Sequence, residues 1–164
     1  MLRHLPNALT TIRLLLIFPF VYFVVQGQPV YAGLTALIAI LSDMDGTVAR
    51  KIGATSSFGA LYDPIVDATF MVVAFAALVY SGKVWWWPVA IFFAAVIFKT
   101  LPQTLYLRKH GKVKSVFASK TMGLIGFGSV IVGAFGFPAI ISALALLVGA
   151  LGYAILGILW LRDS

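Results

Sequence analysis

Long apolar stretches alternate along the chain with short breaks that contain Gly, Pro or charged residues. Because about 20 apolar residues of helix cross a hydrocarbon core of about 30 Å, these stretches have lengths that suit membrane-spanning helices. The pattern therefore predicts an all-α membrane protein of six transmembrane helices, in one domain over residues 1–164. The predicted helices lie at about 8–26, 30–51, 57–81, 84–107, 116–135 and, after a break at 136–138, up to about 161.

Composition and charge support a membrane location. The chain is 62% hydrophobic and only 10% charged, which lies outside the range of soluble domains. A net charge of +7 in so apolar a chain favours contact with anionic lipid or phosphate over nucleic acid. Among the basic residues of the loops and termini, Lys83 is the only one on its side of the six-helix path. The positive-inside rule therefore places the opposite side in the cytoplasm. In a bacterial cell the membrane would be the inner membrane. The basic residues on that cytoplasmic side are Arg3, Arg50, Lys51, Arg108, Lys109, Lys112, Lys114 and Arg162.

Four of the five acidic residues lie within 25 positions of one another, at Asp43, Asp45, Asp63 and Asp67. An ionised Asp at the centre of a membrane helix costs roughly 2.5–3.5 kcal/mol, so such a residue indicates a functional site. Asp63 and Asp67 are four residues apart and share one helix face. Since clustered carboxylates repel one another unless cations lie between them, the cluster predicts a metal site at the cytoplasmic ends of helices 2 and 3.

The residues around the carboxylates suit a phosphate ester. Gly46, Ala49 and Gly59 leave room for a ligand, and the planar, always charged side chain of Arg50 suits phosphate. The oxygen ligands favour Mg²⁺ or Mn²⁺. An alternative is that the Asp side chains only pair with basic residues or helix N-termini. Asp67 argues against this alternative, because it lies roughly 15 Å into the third predicted helix.

The same residues resemble the motif of the CDP-alcohol phosphatidyltransferases, D-x-x-D-G-x-x-A-R-x8-G-x-x-x-D-x-x-x-D. The segment 6–13 is also similar to the P-N-x-x-T-x-x-R entry to the first helix of that family. The positions that match the acidic motif are Asp45, Gly46, Ala49, Arg50, Gly59, Asp63 and Asp67.

The chain departs from this motif at its first Asp, where Ser42 stands three residues before Asp45. Asp43 is only two residues before Asp45, about 200° around an ideal helix. Three interpretations are open. A locally over- or underwound helix brings Asp43 to the metals, Ser42 acts as a weaker neutral ligand, or one metal site is impaired.

The resemblance implies transfer of a phosphatidyl group from CDP-diacylglycerol to an alcohol, with release of CMP and two bound Mg²⁺ or Mn²⁺ ions. It implies that Asp45, Asp63 and Asp67, with Asp43 or Ser42, bind the metals and that Asp67 is the general base. It also implies that the protein is a homodimer in contact with membrane lipids. The residues that it implies for CDP binding are Asn7, Thr10, Gly46, Ala49, Arg50 and Gly59.

Basic residues are the candidates for binding the acceptor. Arg13, Lys99, Arg108 and Lys120 lie within or at the cytoplasmic ends of predicted helices, although Arg108 also fits a loop that contacts anionic lipid. The stretch 119–121 resembles the G-K-x-x-T of phosphatidylglycerophosphate and cardiolipin synthases. This favours glycerol 3-phosphate as acceptor, then phosphatidylglycerol, with inositol phosphate and serine open.

Two other functions compete with the transferase. A family member that binds lipid or nucleotide without catalysis is suggested by Ser42. A cation transporter could use the same Asp residues as an ion path. The far halves of helices 2 and 3, residues 30–39 and 71–79, are almost wholly apolar and contain Thr35 as their only non-aromatic polar residue, which argues against such a path.

Overall fold

A computed structural model describes the backbone of residues 5–51, 57–110 and 117–163 and the side chains of 8–42, 62–104 and 123–161. These backbone ranges are helical apart from short turns and contain no strand, which confirms the all-α class. Each predicted helix end lies within three residues of an observed one. The helices are α1 (Leu5–Val25), α2 (Pro29–Lys51), α3 (Ser57–Tyr80), α4 (Trp86–His110), α5 (Phe117–Ala134) and α6 (Ala139–Asp163).

Four of these helices are long and apolar enough to cross a membrane within the described residues. The spans are Ala8–Val25, Tyr62–Tyr80, Trp86–Thr104 and Ala139–Leu161. α2 and α5 have shorter apolar segments in that part of the chain, Pro29–Ser42 and Gly123–Ala134. The structure therefore supports a multi-pass membrane protein, and spanning by α2 and α5 stays a prediction.

Glycine ends α1, α3 and α5 in the same way. Gly27, Gly82 and Gly136 have φ values of 67°, 67° and 79°, in the left-handed region that glycine adopts without steric cost. After α1, the Gln28 N–H donates to the Phe23 carbonyl at 2.9 Å and the Gly27 N–H donates to the Val24 carbonyl at 3.2 Å. This pair of bonds is the Schellman motif, and it recurs after α3 and α5, so each turn follows from a glycine in the sequence.

The helices form two compact units. The first contains residues 1–83 and 130–137, and its core is built by α1, α2 and α3. Small residues of α2 (Ala32, Ala36 and Ala39) are fully buried there, and small side chains let helix backbones approach closely. Phe20 of α1 and Phe70 of α3 fill the same core, with ring centroids 5.7 Å apart.

The second unit contains residues 84–129 and 138–164. In it α4 packs on α6, where two glycines receive aromatic rings. Gly149 lies against the ring of Phe92, and Gly157 lies against Phe98 and the backbone of Lys99.

Candidate active site

Thr10 of α1 and Asp63 of α3 meet inside the first unit. Both side chains are buried, and the Thr10 hydroxyl donates a hydrogen bond to Asp63 Oδ1. A buried carboxylate without a partner is strongly unfavourable, and a hydrogen bond to an ionised acceptor is stronger than one between neutral groups. Thr10 therefore stabilises the buried carboxylate of Asp63.

Arg13 joins α1, α2 and α3 in the first unit. Its Nη1 forms an ion pair with Asp67 Oδ1 on α3, and its Nε donates to the backbone carbonyl of Ala39 on α2 at 3.1 Å. The Arg13 side chain is only 3% exposed, whereas that of Asp67 is 30% exposed. The cation is thus enclosed by protein while its carboxylate partner is reachable from one side.

These contacts have a common register. Thr10 and Arg13 are three residues apart on α1, and their partners Asp63 and Asp67 are four apart on α3, so each pair shares one helix face. The residue numbers rise together on both helices, which means that α1 and α3 run parallel. A further contact between the hydroxyls of Thr11 and Tyr62, at 3.4 Å, lies beside the Thr10–Asp63 pair and joins the same two helices.

The backbone of α2 shows which positions share a face with position 45 near Ser42, which replaces the first Asp of the motif. α2 is α-helical from Pro29 to Lys51, so positions 42 and 45 share a face and position 43 lies about 200° from position 45. The Ser42 hydroxyl donates to the Ile38 carbonyl at 2.8 Å, and a hydroxyl that donates once still has lone pairs to offer. In a regular helix Ser42, and not Asp43, shares the face of position 45. Whether Ser42 or Asp43 is a ligand, or one metal site is impaired, stays open.

Several predicted residues have side chains outside the described part of the chain. Among the side chains that are described, no group of three or more acidic or His residues could hold a metal. Asp63 and Asp67 nevertheless provide carboxylate oxygens of the kind that Mg²⁺ and Mn²⁺ prefer. A carboxylate has about four lone-pair sites, so one hydrogen bond to it is compatible with coordination. The predicted residues outside the described side chains are Asn7, Asp43, Asp45, Gly46, Ala49, Arg50, Gly59, Arg108 and Lys120.

Lys99 belongs to the second unit. Its Nζ lies 5.9 Å from the ring centroid of Tyr153, a buried residue of α6, in the range of a cation–π interaction. The sequence interpretation identified Lys99 but missed Tyr153 as its neighbour. It also missed the pairing of Arg13 with Asp67, although the general tendency of intramembrane charges to pair could have suggested it.

Taken with the apolar spans, these contacts define a helical membrane protein in which the buried carboxylate of Asp63 and the partly exposed carboxylate of Asp67 both have partners. The model of the CDP-alcohol phosphatidyltransferase family matches residues 3–160. The chain belongs to this family, and the resemblance inferred from the acidic motif is confirmed.

Curated relatives carry names from the same chemistry. A putative cardiolipin synthase of Mycobacterium tuberculosis is 36% identical over 135 residues, which cover 78% of this chain and 64% of the relative. A probable phosphatidylglycerophosphate synthase of the same organism is 26% identical over 137 residues, covering 75% and 66%. A CDP-diacylglycerol–serine O-phosphatidyltransferase of Mycobacterium bovis is 36% identical over 89 residues, covering 54% and 31%. The chain thus spans less than two thirds of the length of the relatives that it matches.

Proposed function

We propose that this protein transfers a phosphatidyl group from CDP-diacylglycerol to the hydroxyl of a small alcohol, with release of CMP. The observation that carries the proposal is the pair Asp63 and Asp67, held on one face of α3 by Thr10 and Arg13. Both carboxylates stand at acidic positions of the family motif, and the family model covers nearly the whole chain.

In the proposed reaction the acceptor oxygen attacks the phosphorus that carries diacylglycerol. The bond from this phosphorus to the oxygen bridging it to CMP breaks, and CMP leaves with the electron pair. Asp67 accepts the hydroxyl proton, which suits a carboxylate that is 30% exposed and fixed by an ion pair. Asp63 lies one turn earlier on the same face, where its buried carboxylate keeps a constant orientation through Thr10.

Asp63 and Asp67, together with Asp45 and with Ser42 or Asp43, would hold Mg²⁺ or Mn²⁺. When bound, such ions neutralise the charge that develops on the diphosphate and the leaving group. Asn7, Thr10, Gly46, Ala49, Arg50 and Gly59 are proposed to hold the CDP part.

Glycerol 3-phosphate is the acceptor that we favour. Two relatives are named for cardiolipin and phosphatidylglycerophosphate synthesis. Lys99, Arg108 and Lys120 are proposed to bind the acceptor phosphate, in a homodimer whose active site faces the cytoplasm. Replacing Lys99 by Met should then raise the KM for glycerol 3-phosphate and leave the KM for CDP-diacylglycerol unchanged, with Lys83→Met as the matched control.

The test is release of CMP by the purified protein from CDP-diacylglycerol with Mg²⁺ or Mn²⁺. Glycerol 3-phosphate, phosphatidylglycerol, inositol phosphate and serine are offered separately. We expect release with one acceptor, its loss in Asp67→Asn, and its retention in Thr69→Val, which alters an exposed residue two positions further along α3. Equal release by wild type and Asp67→Asn would contradict the proposal.

Ser42 supports a second candidate, a member that binds CDP-diacylglycerol without catalysis. On this alternative the wild type binds the nucleotide but releases no CMP with any acceptor. Ser42→Asp, which restores the family residue on the face that position 45 shares, should then gain activity. Activity in the wild type excludes this candidate.

A further inference from the structure

We infer that Arg13 is a positioning residue that fixes the carboxylate of Asp67, and that it is not a ligand of the acceptor phosphate. The inference rests on the proposed function, in which Asp67 receives the proton of the acceptor hydroxyl. It replaces the role that the sequence alone predicts for Arg13.

The geometry of the guanidinium carries the first step. Nε and Nη1 lie in one rigid plane, and each has a partner on a different helix, the Ala39 carbonyl and Asp67 Oδ1. The bond to Ala39, at 3.1 Å, fixes how the plane is turned, and the ion pair transmits this orientation to Asp67. A backbone carbonyl cannot change rotamer, so α2 provides a firm reference for a side chain on α3.

Burial carries the second step. With only 3% of its side chain exposed, Arg13 presents almost no surface to an incoming phosphate, whereas Asp67 is 30% exposed. A phosphate that bound Arg13 would have to displace a carboxylate from an enclosed ion pair, which leaves that carboxylate without its cation. The accessible member of the pair is therefore Asp67, and Arg13 acts through it.

Steady-state kinetics separate this role from acceptor binding. In Arg13→Gln we expect kcat to fall about 100-fold, as for a misplaced catalytic group, with KM values for CDP-diacylglycerol and acceptor within about threefold of wild type. Arg13→Lys keeps the charge without the planar fork and should recover part of this loss, to about tenfold below wild type. Thr11→Val, at the neighbouring exposed contact between α1 and α3, should leave kcat unchanged.

The opposite kinetic pattern would overturn the inference. A large rise in the acceptor KM with kcat preserved would make Arg13 a ligand of the acceptor. An unchanged kcat in Arg13→Gln would show that Asp67 needs no positioning.

A second measurement does not depend on activity. Thermal unfolding midpoints are compared for Arg13→Gln, Asp67→Asn and the double variant in one detergent. Because the two side chains share an ion pair, the double variant should lose less than the sum of the single losses. Additive losses would overturn the inference even in an active protein. If the losses are coupled but the wild type releases no CMP, the proposed function is overturned and the positioning role with it. The ion pair between Arg13 and Asp67 would still stand.

Discussion

Thr10 on α1 and Asp63 on α3 are joined by a hydrogen bond in which the threonine hydroxyl donates to a buried carboxylate. Valine has nearly the shape of threonine but no hydroxyl, so Thr10→Val removes this bond with little change in volume. We expect the free energy of unfolding to fall by about 0.5–2 kcal/mol, the range for such bonds in membrane and soluble proteins. The measurement is reversible unfolding in mixed micelles.

Thr11→Val is the matched control for this prediction. Thr11 makes its 3.4 Å contact with Tyr62 in an exposed setting, so its loss should be smaller. A larger destabilisation by Thr11→Val than by Thr10→Val would contradict the importance of the buried bond.

Replacement of Ser42 by Asp should strengthen metal binding. Since α2 remains helical through Lys51, a carboxylate at position 42 shares a face with position 45 and adds a charged oxygen ligand. We expect Mn²⁺ affinity, measured by electron paramagnetic resonance titration, to rise about tenfold, since affinity follows the charge of the ligand set. Unchanged affinity in Ser42→Asp, together with a loss in Asp43→Asn, would show that Asp43 is the ligand.

Gly33 allows the ring of Phe135 to lie directly on α2. A Cβ atom at position 33 would come within 2.5 Å of three ring atoms, so Gly33→Ala forces the ring or a helix to move. We expect a loss of about 1–3 kcal/mol in unfolding free energy, as in other overpacked sites. Gly128→Ala should be neutral or slightly stabilising, because no neighbour lies within 4 Å there.

A suppressor identifies the cause of that loss. Gly33→Ala should cost much less in a Phe135→Ala background, where the ring is absent. If Gly33→Ala lowers the unfolding free energy as much in the Phe135→Ala background as in the wild type, the clash does not involve the Phe135 ring.

Membrane topology can be measured directly because the chain contains no cysteine. The Gly27, Gly82 and Gly136 turns are predicted to lie on the side of Lys83, opposite the cluster of basic residues. Single cysteines at Gln28, Lys83 and Phe137 should therefore react with a membrane-impermeant maleimide in intact cells, and a cysteine at Lys112 should react only after lysis. The six-span path would be contradicted if the cysteine at position 112 reacts in intact cells. It would also be contradicted if a cysteine at any of the three turn positions fails to react in them.

The sequence predicted the helices well because their ends depend on local residues. Glycine at positions 27, 82 and 136 ends three helices by a backbone conformation that other residues rarely adopt. The shared face of Asp63 and Asp67 followed from spacing alone, since residues four apart lie on one side of any α-helix.

Which helix faces meet was much harder to predict. In a membrane both the lipid-facing and the buried side of a helix are apolar, so hydrophobicity does not mark the interior. In α2 the buried side is marked instead by size, with Ala32, Ala36 and Ala39 inside and Leu37 and Ile38 exposed. The tendency of membrane charges to pair suggests that Arg13 has an acidic partner, but the choice of Asp67 required knowledge of this packing, because the two residues are 54 positions apart in the chain.

The three-helix contact of Arg13 also sets an order of events during synthesis. Ala39 is made 26 residues after Arg13, and Asp67 is made 54 residues after it. At a synthesis rate of about 5–20 residues per second, Asp67 is made about 3–11 s after Arg13. An unpaired Arg at the centre of a membrane helix costs roughly 2.5–3.5 kcal/mol on insertion scales, so α1 inserts less favourably before Asp67 is made than after it. Arrival of α3 therefore both brings Asp63 and Asp67 to the candidate active site and gives Arg13 its counter-charge.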